Sequence, residues 1–310
     1  MNAPSAIELP AGLLALPAHS PGWDDWLSGL PTLARELMTE WALTQDGQAR
    51  HGRCALVLPV QSARAGAAVL KCSFPHDEER DEHIGLKALA GNGAVRLLRA
   101  DPNRHALLLE RLHADRDLTR VEVEAACRIV GGLYGRVHIP APPQLRALSS
   151  YVLRWTDDLL RLDRDAPLPR RLVEQAVMLA RELLAEPGSS MIHGDLHYEN
   201  VLAADREPWL VIDPKPMSGD PHYEVAPMLW NRWAEAAATG DLRRALRRRI
   251  AILVETAGLQ ADRARDWVVV RMVHNGLWAI QDALAESRGL TQDDHEWITQ
   301  CVTIAKAVQD

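Results

Sequence analysis

The chain has 310 residues, of which 47% are hydrophobic and 25% are charged, and its formal net charge is -7. This composition is typical of a globular protein, and the negative balance gives no general attraction to nucleic acid or to an anionic membrane surface. The length suits one large domain or two smaller ones. The four cysteines are far apart and lack metal-ligand spacing, so we expect buried free thiols in a reducing cytoplasm.

The N-terminal part of the chain predicts an arm followed by one helix. Residues 1–20 are interpreted as an irregular arm, because Pro10 and Pro17 interrupt an apolar stretch that also lacks the basic leader of a signal peptide. Apolar residues at helical spacing predict a helix from Trp23 to about Trp41, within which Pro31 would permit a restart. No window approaches the roughly 20 apolar residues of a membrane span, so no membrane partner is expected.

Short β-rich segments follow, and they predict an antiparallel sheet. WALTQDG, CALVLPVQ and AAVLKC are separated by turn residues. A charged helix is expected from about Asp77 to Ala90, and two more strands are expected in AVRLL and HALLLERL. Residues 1–110 are therefore predicted to form an N-terminal arm, a helix and a β-rich lobe.

The remainder, residues 111–310, predicts a larger helical lobe, so the fold class is α+β. Helices are expected at about 118–135, 148–160, 168–184, 223–237, 241–257, 262–287 and 292–308. One polar island, HGDLHYENVL followed by WLVIDPK, interrupts them and predicts a loop, a strand, a turn and a second strand.

The polar island carries the residues that phosphoryl transfer requires. The reaction needs a carboxylate that accepts the proton of the attacking hydroxyl, and oxygen ligands for magnesium. Asp195 and Asn200 keep the five-residue spacing of a kinase base and metal ligand, and Asp213 follows an apolar strand. Each residue alone could simply cap a turn or end a strand. The whole constellation favours a catalytic base at Asp195 and metal ligands at Asn200 and Asp213.

HGDLHYEN and VIDPKPMSGDPHYEVAPMLWNRW resemble the aminoglycoside phosphotransferase family, and within it the streptomycin 6-kinase and hydroxyurea-resistance kinase branch. GAVRLLRAD and ALLLERL fit the same branch. The resemblance implies a two-lobed protein-kinase-like fold, ATP or GTP as phosphate donor, Mg²⁺ as cofactor and a small hydroxylated acceptor. It gives Asp195 the role of base and Asn200 and Asp213 the role of metal ligands.

The implied function is a kinase of a small, cationic molecule such as streptomycin, which would confer antibiotic resistance. Hydroxyurea, a sugar, an amino alcohol or an unknown metabolite are alternative acceptors. A non-catalytic nucleotide-binding protein with a kinase-like fold is a third hypothesis. The sequence does not indicate the oligomeric state.

The first lobe offers candidates for nucleotide binding. Lys71 ends a predicted strand, where its ammonium could reach the α- and β-phosphates. Glu82, on the next helix, is the predicted partner, with Glu78 and Glu79 as rivals. The alternative interpretation is that Lys71 is a surface charge at the end of a strand and that Glu82 lies on a solvated helix.

The connector at Glu110 and Leu112 would supply backbone donors and acceptors to adenine, by its position in kinase-like folds. The expected phosphate loop, residues 45–52, has two glycines and no GxGxxG. Arg50 or His51 could help to hold phosphate there, although a solvated turn is the alternative.

Two histidines and an aspartate near the island are interpreted as braces. His193 and His197 lack a third ligand for zinc, and the turn at Gly194 argues against a shared helix face. We therefore expect both to brace the catalytic loop by hydrogen bonds. Asp220 is expected to do the same, or to cap the helix that begins near Tyr223.

The late helix offers candidates for binding the acceptor. Trp278, Asp282 and Glu286 follow at intervals of four residues and could present an aromatic ring and two carboxylates to a guanidinium group. An ordinary amphipathic helix is the alternative, and Asp157 and Asp158 are weaker candidates of the same kind.

Overall fold

The structure is a computed structural model that describes residues 7–16 and 21–309. The chain divides into two compact units. The first contains Met1–His113 and Ala204–Pro208, and the second contains Ala114–Ala203 and Trp209–Asp310. Among the described residues, no helix combines the length and the apolar character needed to cross a membrane.

The first unit is built on a six-stranded antiparallel sheet. Its helices are α1 (Ala11–Leu14), α2 (Trp23–Glu40) and α3 (Glu82–Leu89). Its strands are β1 (Leu43–Gln45), β2 (Arg50–His51), β3 (Ala55–Ser62), β4 (Gly66–Ser73), β5 (Leu97–Asp101) and β6 (Ala106–Glu110). The strand order is β1-β3-β4-β6-β5, with β2 on β3. The predicted antiparallel strands are thus present.

Helix α2 belongs to the core of the first unit. It runs unbroken through Pro31, without the restart that this proline would permit. Leu30 and Ala34, on either side of the proline, are both fully buried in one apolar cluster with Leu58 and Leu70 of the sheet. Packing along the whole helix face outweighs the missing proline hydrogen bond.

Three expectations for the first unit need correction. The charged helix begins at Glu82 rather than near Asp77, because residues 77–81 form a turn. The strand predicted in AVRLL is β5 and begins three residues later, at Leu97. The arm contains the short helix α1, while residues 1–6 and 17–20 lie outside the described part of the chain.

The second unit consists mainly of helices around two small sheets. Its strands are β7 (His113–Asp117), β8 (Ser190–Ile192), β9 (Val201–Ala203), β10 (Trp209–Val211) and β11 (Met217–Gly219). Its helices are α4 (Val123–Val137), α5 (Leu148–Arg161), α6 (Arg170–Leu183), α7 (Pro227–Trp230), α8 (Trp233–Ala238), α9 (Leu242–Ala257), α10 (Ala261–Ala285) and α11 (Gln292–Ala307). The sheets have the orders β10-β9-β7 and β11-β8.

Helix α10 is the centre of the second unit. Trp267, Val268, Val270 and Met272 are all fully buried, because the helix packs against α6 on one side and α11 on another. The residues between β8 and β9 contain HGDLHYEN, the first part of the polar island.

One helix prediction for the second unit is wrong in part, and one strand was not predicted. The helix expected at 223–237 is three short pieces, a 3₁₀ turn at Pro221–Val225 followed by α7 and α8. Pro227 starts a new helix, and Arg232 has a left-handed φ of +53° that stops one. The second unit also forms β7 before its first long helix, α4, and the charged sequence HADRD gives no apolar pattern that would predict this strand.

Candidate active site

The turn between β8 and β9 carries the Asp195 carboxylate. The turn is tied to residues that follow β10, because the Lys215 amide donates to the His193 carbonyl oxygen over 2.7 Å. The Asp195 side chain is 38% exposed. A carboxylate that is both accessible and held at a fixed place is able to accept a proton from a bound hydroxyl.

The buried Glu224 carboxylate holds the backbone next to Asp195. Its two oxygens accept hydrogen bonds from the amides of His193, at 2.9 Å, and Gly194, at 2.8 Å. Burial alone would raise the pKa of Glu224, but the adjacent His138 imidazole and the Gly194 amide bring the pKa below its ordinary value. Glu224 therefore stays ionised and fixes the start of the turn.

Gly194 is held at both of its polar backbone atoms. Its carbonyl oxygen accepts a hydrogen bond from the buried Arg271 guanidinium of α10, opposite the amide bound by Glu224. The residue has a φ of +85°, and an added Cβ would lie 2.5 Å from the Lys215 carbonyl oxygen. Only glycine fits this position without displacing the backbone.

Glu224 and Arg271 are functional residues that the sequence-based prediction missed. A signal for both is present, since each is a lone charge within an apolar run, YEVA and VVVRMV. A charge in such a run is buried and therefore needs hydrogen-bonding partners. Here the partners are the backbone atoms of Gly194 and its neighbours.

His193 braces the turn from within. Its Nε2 lies 2.9 Å from the Ile212 carbonyl oxygen, and its Nδ1 accepts from the Asp195 amide at 3.3 Å. Burial lowers the pKa of His193, so the ring is neutral, with the proton on Nε2. His197 accepts from the Glu199 amide at 3.4 Å, and its Nε2 lies 3.8 Å from Asp195 Oδ2.

Asn200 is bound to the same turn. Its side-chain NH₂ donates to the Asp195 carbonyl oxygen at 2.9 Å, and the residue is buried. Because the nitrogen side of the planar amide faces this carbonyl, the amide oxygen Oδ1 faces the other way. The Asn200 carbonyl oxygen accepts from the Ile212 amide at 2.9 Å, which connects Asn200 to the segment that carries Asp213.

Asp213 has an unusual backbone conformation. Its φ is +57°, in the left-handed region that residues other than glycine seldom adopt. Its Oδ1 lies 3.0 Å from the Lys215 ammonium. An amide oxygen from Asn200 and a carboxylate from Asp213 are hard oxygen donors, so their chemistry fits a magnesium ion.

Asp220 does not brace the turn, and this part of its prediction is wrong. Its carboxylate accepts hydrogen bonds from His222, from Arg263 at 2.5 Å and from Trp267 at 2.7 Å. Burial opposes ionisation, but these hydrogen bonds lower the pKa of Asp220 to about 2. The alternative role is present, since Asp220 caps the 3₁₀ turn that begins at Pro221.

In the first unit, the ammonium of Lys71 on β4 contacts two buried carboxylates. Its ammonium is 2.7 Å from Glu82 Oε2 and 3.2 Å from Glu79 Oε2. Glu82 opens α3, and Glu79 belongs to the preceding turn. Lys71 is therefore not a surface charge at the end of a strand, and that alternative is wrong. Glu79, one of the two alternatives to Glu82, contacts the ammonium as well.

The connector after β6 is held by a residue distant in sequence. Arg206 binds both carboxylate oxygens of Glu110, each at 3.0 Å from its Nε, and donates to the Ala94 carbonyl oxygen. The Glu110 side chain is thus engaged within the protein. Leu112 lies between the end of β6 and the start of β7.

The glycine-poor segment of residues 45–52 is shaped by strand pairing and one ion pair. Arg50 and His51 form β2 against β3, so they are not a free turn. Asp46 accepts from Arg111 at 2.7 Å and from Gln61 at 2.7 Å. These hydrogen bonds lower the pKa of Asp46.

The acceptor candidates on α10 differ in their surroundings. The Trp278 ring packs edge-on against Trp155, with 4.6 Å between the ring centroids. Asp282 is exposed, whereas Glu286 lies beyond the end of α10 and binds the Arg288 guanidinium. The Glu286 amide still bonds the Asp282 carbonyl oxygen at 3.0 Å, so the alignment of the three residues along this helix stays a prediction.

Comparison with known families decides what this arrangement belongs to. A family model described as aminoglycoside/hydroxyurea antibiotic resistance kinase matches residues 40–283. The chain belongs to this family. Membership confirms the resemblance predicted from HGDLHYEN and VIDPK, and it makes the chain a small-molecule phosphotransferase.

Individual members of the family are similar along most of the chain. The streptomycin 6-kinase of Streptomyces glaucescens is 41% identical, covering 92% of this chain and 95% of that protein. The streptomycin 6-kinase of Streptomyces griseus is 40% identical, with coverage of 92% and 94%. The hydroxyurea phosphotransferase of Kitasatospora aureofaciens is 38% identical, with coverage of 90% and 82%.

Solved structures share the fold. A choline kinase from Streptococcus pneumoniae aligns with a TM-score of 0.61 at 10% identity, covering 90% of this chain and 99% of that one. A macrolide 2'-phosphotransferase from Brachybacterium faecium aligns with a TM-score of 0.55 at 17% identity, with coverage of 91% and 98%. At such identities the likeness concerns the fold alone, and it confirms the predicted α+β, protein-kinase-like class.

Proposed function

We propose that the chain transfers the γ-phosphate of ATP or GTP to a hydroxyl group of streptomycin or a related cationic aminoglycoside. The acceptor is proposed because two relatives, at 41% and 40% identity, are streptomycin 6-kinases. By the same argument the hydroxyl at position 6 is the expected target. Phosphorylation of the drug would confer resistance on the cell that contains this enzyme.

Asp195 is the proposed catalytic base. The acceptor oxygen attacks the γ-phosphorus, the bond to the β,γ-bridging oxygen breaks, and ADP leaves. Asp195 orients the hydroxyl and takes its proton. Support comes from its exposure together with the fixed backbone of the turn, which Glu224 and Arg271 hold from the buried side.

Asn200 and Asp213 are the proposed magnesium ligands. Magnesium, when bound, neutralises charge on the phosphate oxygens. Asn200 would contribute the amide oxygen that faces away from Asp195, and Asp213 would contribute its carboxylate. Both ligands belong to segments joined by the hydrogen bond from Ile212 to Asn200.

The nucleotide contacts proposed for the first unit are residue-specific. Lys71 would bind the α- and β-phosphates, and Glu82 would orient its ammonium. The Glu110 carbonyl oxygen and the Leu112 amide would bind adenine. This proposal is supported by the 2.7 Å contact of Lys71 with Glu82 and by the engagement of the Glu110 carboxylate by Arg206.

One observation carries the catalytic proposal. The Asn200 side-chain amide binds the carbonyl oxygen of Asp195 itself, at 2.9 Å. The proposed base and a proposed metal ligand are thus parts of one hydrogen-bonded turn. An ordinary surface turn has no need for a buried side-chain amide that fixes the backbone of an exposed aspartate.

The test is phosphorylation of streptomycin by purified protein with ATP and Mg²⁺. Mass spectrometry should detect one added phosphate, and ³¹P-correlated NMR should assign it to position 6. Asp195→Asn should lower kcat at least about 1000-fold while ATP binding stays within about threefold. Asp293→Asn, at an exposed site on α11, is the matched control and should leave kcat unchanged.

Two results would overturn this proposal. Wild-type protein that leaves streptomycin unmodified would remove the acceptor assignment. Asp195→Asn with undiminished transfer would remove the base assignment.

Hydroxyurea is the second candidate acceptor. The family description names it, and a relative at 38% identity is a hydroxyurea phosphotransferase. The same assay with hydroxyurea separates the two candidates, because the physiological class of acceptor should give the higher kcat/KM. A sugar, an amino alcohol or another metabolite would be identified by ADP release across an acceptor panel.

A further inference from the structure

Lys215 lies within the proposed site of the second unit, and the roles assigned so far leave its side chain unused. Its ammonium nitrogen is 3.0 Å from Asp213 Oδ1. The Lys215 side chain is 15% exposed and that of Asp213 is 34% exposed. The cation is therefore sheltered and sits directly against a proposed metal ligand.

The backbone of Lys215 is fixed to the catalytic turn. Its amide donates to the His193 carbonyl oxygen at 2.7 Å, and its own carbonyl oxygen packs against Gly194. Pro214 and Pro216 flank it and restrict the backbone on both sides. The starting point of the side chain is thus set relative to Asp195, while the four-carbon chain leaves the ammonium able to move.

The charge of Lys215 conflicts with a metal ion on Asp213. Two cations on one carboxylate repel each other, so a metal ion at Asp213 favours a different anionic partner for the ammonium. A phosphate bound to such an ion would supply this anion near the Lys215 ammonium, and lysine is a common phosphate ligand.

We propose that Lys215 is a catalytic residue that binds the γ-phosphate of ATP and stabilises its charge during transfer. This inference rests on the proposed kinase function, because it concerns the same reaction. The acceptor oxygen forms its bond to the γ-phosphorus, the bond to the bridging oxygen breaks, and ADP leaves with that electron pair. The hydroxyl proton goes to Asp195, and Lys215 keeps all of its protons and forms no covalent bond.

The first experiment compares Lys215→Met with Lys306→Met, an exposed lysine on α11 of the same unit. Methionine keeps the length and the apolar stem of lysine but removes its charge. Lys215→Met should lower kcat/KM for ATP about 100-fold, the size of effect seen when one donor to a developing charge is removed. Lys306→Met should match the wild type.

The second experiment measures binding and needs no acceptor. Calorimetry with Mg²⁺ should show Lys215→Met binding a non-hydrolysable ATP analogue about 10-fold more weakly, while its affinity for ADP is unchanged. The contrast isolates the γ-phosphate, because the two nucleotides otherwise share their contacts. Lys215→Arg keeps the charge and should recover most of the lost affinity.

Two outcomes would overturn the proposal. Equal weakening of ADP and the ATP analogue would mean that Lys215 acts on the turn or the metal rather than on the γ-phosphate. Unchanged kcat/KM together with tighter Mn²⁺ binding would mean that Lys215 only neutralises Asp213. If wild-type protein fails to phosphorylate any acceptor, the proposed function fails, but the comparison of the two nucleotides still decides the role of Lys215.

Discussion

Two loops of this protein are fixed in different ways. The turn of residues 193–200 is held from the buried side, where a carboxylate and a guanidinium bind the two polar atoms of Gly194. The segment of residues 45–52 is held by the short pairing of β2 with β3 and by the exposed ion pair of Asp46 with Arg111. Removing one partner of a buried, charged hydrogen bond is costly, because the other partner stays buried without its bond. An exposed ion pair contributes little to stability.

The difference in anchoring between the two loops shows in which loop the exact position of a side chain matters most. A base must lie within hydrogen-bonding distance of one proton, so its backbone needs strong and directional anchors. A loop that would cover phosphates can bind them through many backbone and side-chain atoms, so weaker anchors suffice. Substitutions that remove the anchors should therefore have very unequal effects in the two loops.

Among substitutions of the anchoring residues, the largest effect is expected from Glu224→Gln. The side-chain oxygen of a glutamine can accept from only one of the two backbone amides, that of His193 or that of Gly194. Its NH₂ group then faces the second amide, which is left without an acceptor. We expect kcat to fall about 100-fold and the free energy of unfolding to fall by about 2 kcal/mol. Steady-state kinetics and urea denaturation measure the two.

The control for this prediction is Glu235→Gln, which breaks an exposed ion pair with Arg232 in the same unit. It should change kcat less than twofold. If Glu224→Gln behaved like the control, the backbone of the turn would not depend on its buried anchor.

A smaller effect, on stability rather than on catalysis, is expected from Asp220→Asn. The pKa of Asp220 is about 2 in the folded protein, below its ordinary value of 3.8, because His222 and Trp267 donate to it. The stabilisation is therefore full above the unfolded pKa and is lost as the pH falls from about 4 to about 2. The shift corresponds to about 2 kcal/mol at pH 7.

The measurement is the difference in unfolding free energy between wild type and Asp220→Asn at pH 7 and near pH 3. The difference should shrink at the lower pH, while kcat at pH 7 stays within about threefold. Asp262→Asn, at an almost fully exposed carboxylate, should show no such pH dependence. A kcat loss as large as that of Glu224→Gln would contradict the separation of Asp220 from the catalytic turn.

The smallest effect is expected from Asp46→Asn in the first unit. It removes the charge that binds Arg111 but keeps the shape of the side chain. We expect KM for ATP to rise about threefold with kcat unchanged, and the difference to vanish at about 0.5 M salt, where exposed pairs are screened. Steady-state kinetics at low and high salt test this change in KM. A fall in kcat that does not depend on salt would contradict the proposed difference between the two loops.

The same contrast explains what the sequence predicted. Strands such as β3 and β4 and helices such as α5 and α9 follow from local periodicity, and the structure has them close to their expected bounds. The spacing of Asp195, Asn200 and Asp213 is also a local pattern. Such patterns are visible without knowledge of tertiary contacts.

What the sequence did not predict depends on contacts between distant residues. Arg271 reaches Gly194 across 77 positions, and Arg206 reaches Glu110 across 96. The unbroken helix across Pro31 is likewise a result of packing on the sheet. The sequence predicts Asp220 as a brace of the turn, but the fold places the Glu224 carboxylate against the amides of His193 and Gly194.

The most direct test of the account is the affinity for Mn²⁺ in the presence of ATP, followed by the EPR signal of free Mn²⁺. Asp213→Asn should lower the affinity for Mn²⁺ at least about 10-fold, because it removes a charged ligand. Asp195→Asn should bind the metal like the wild type, since Asp195 is assigned to the hydroxyl proton. Wild-type affinity in Asp213→Asn, or an equal loss in both variants, would contradict the division of roles between base and metal ligand.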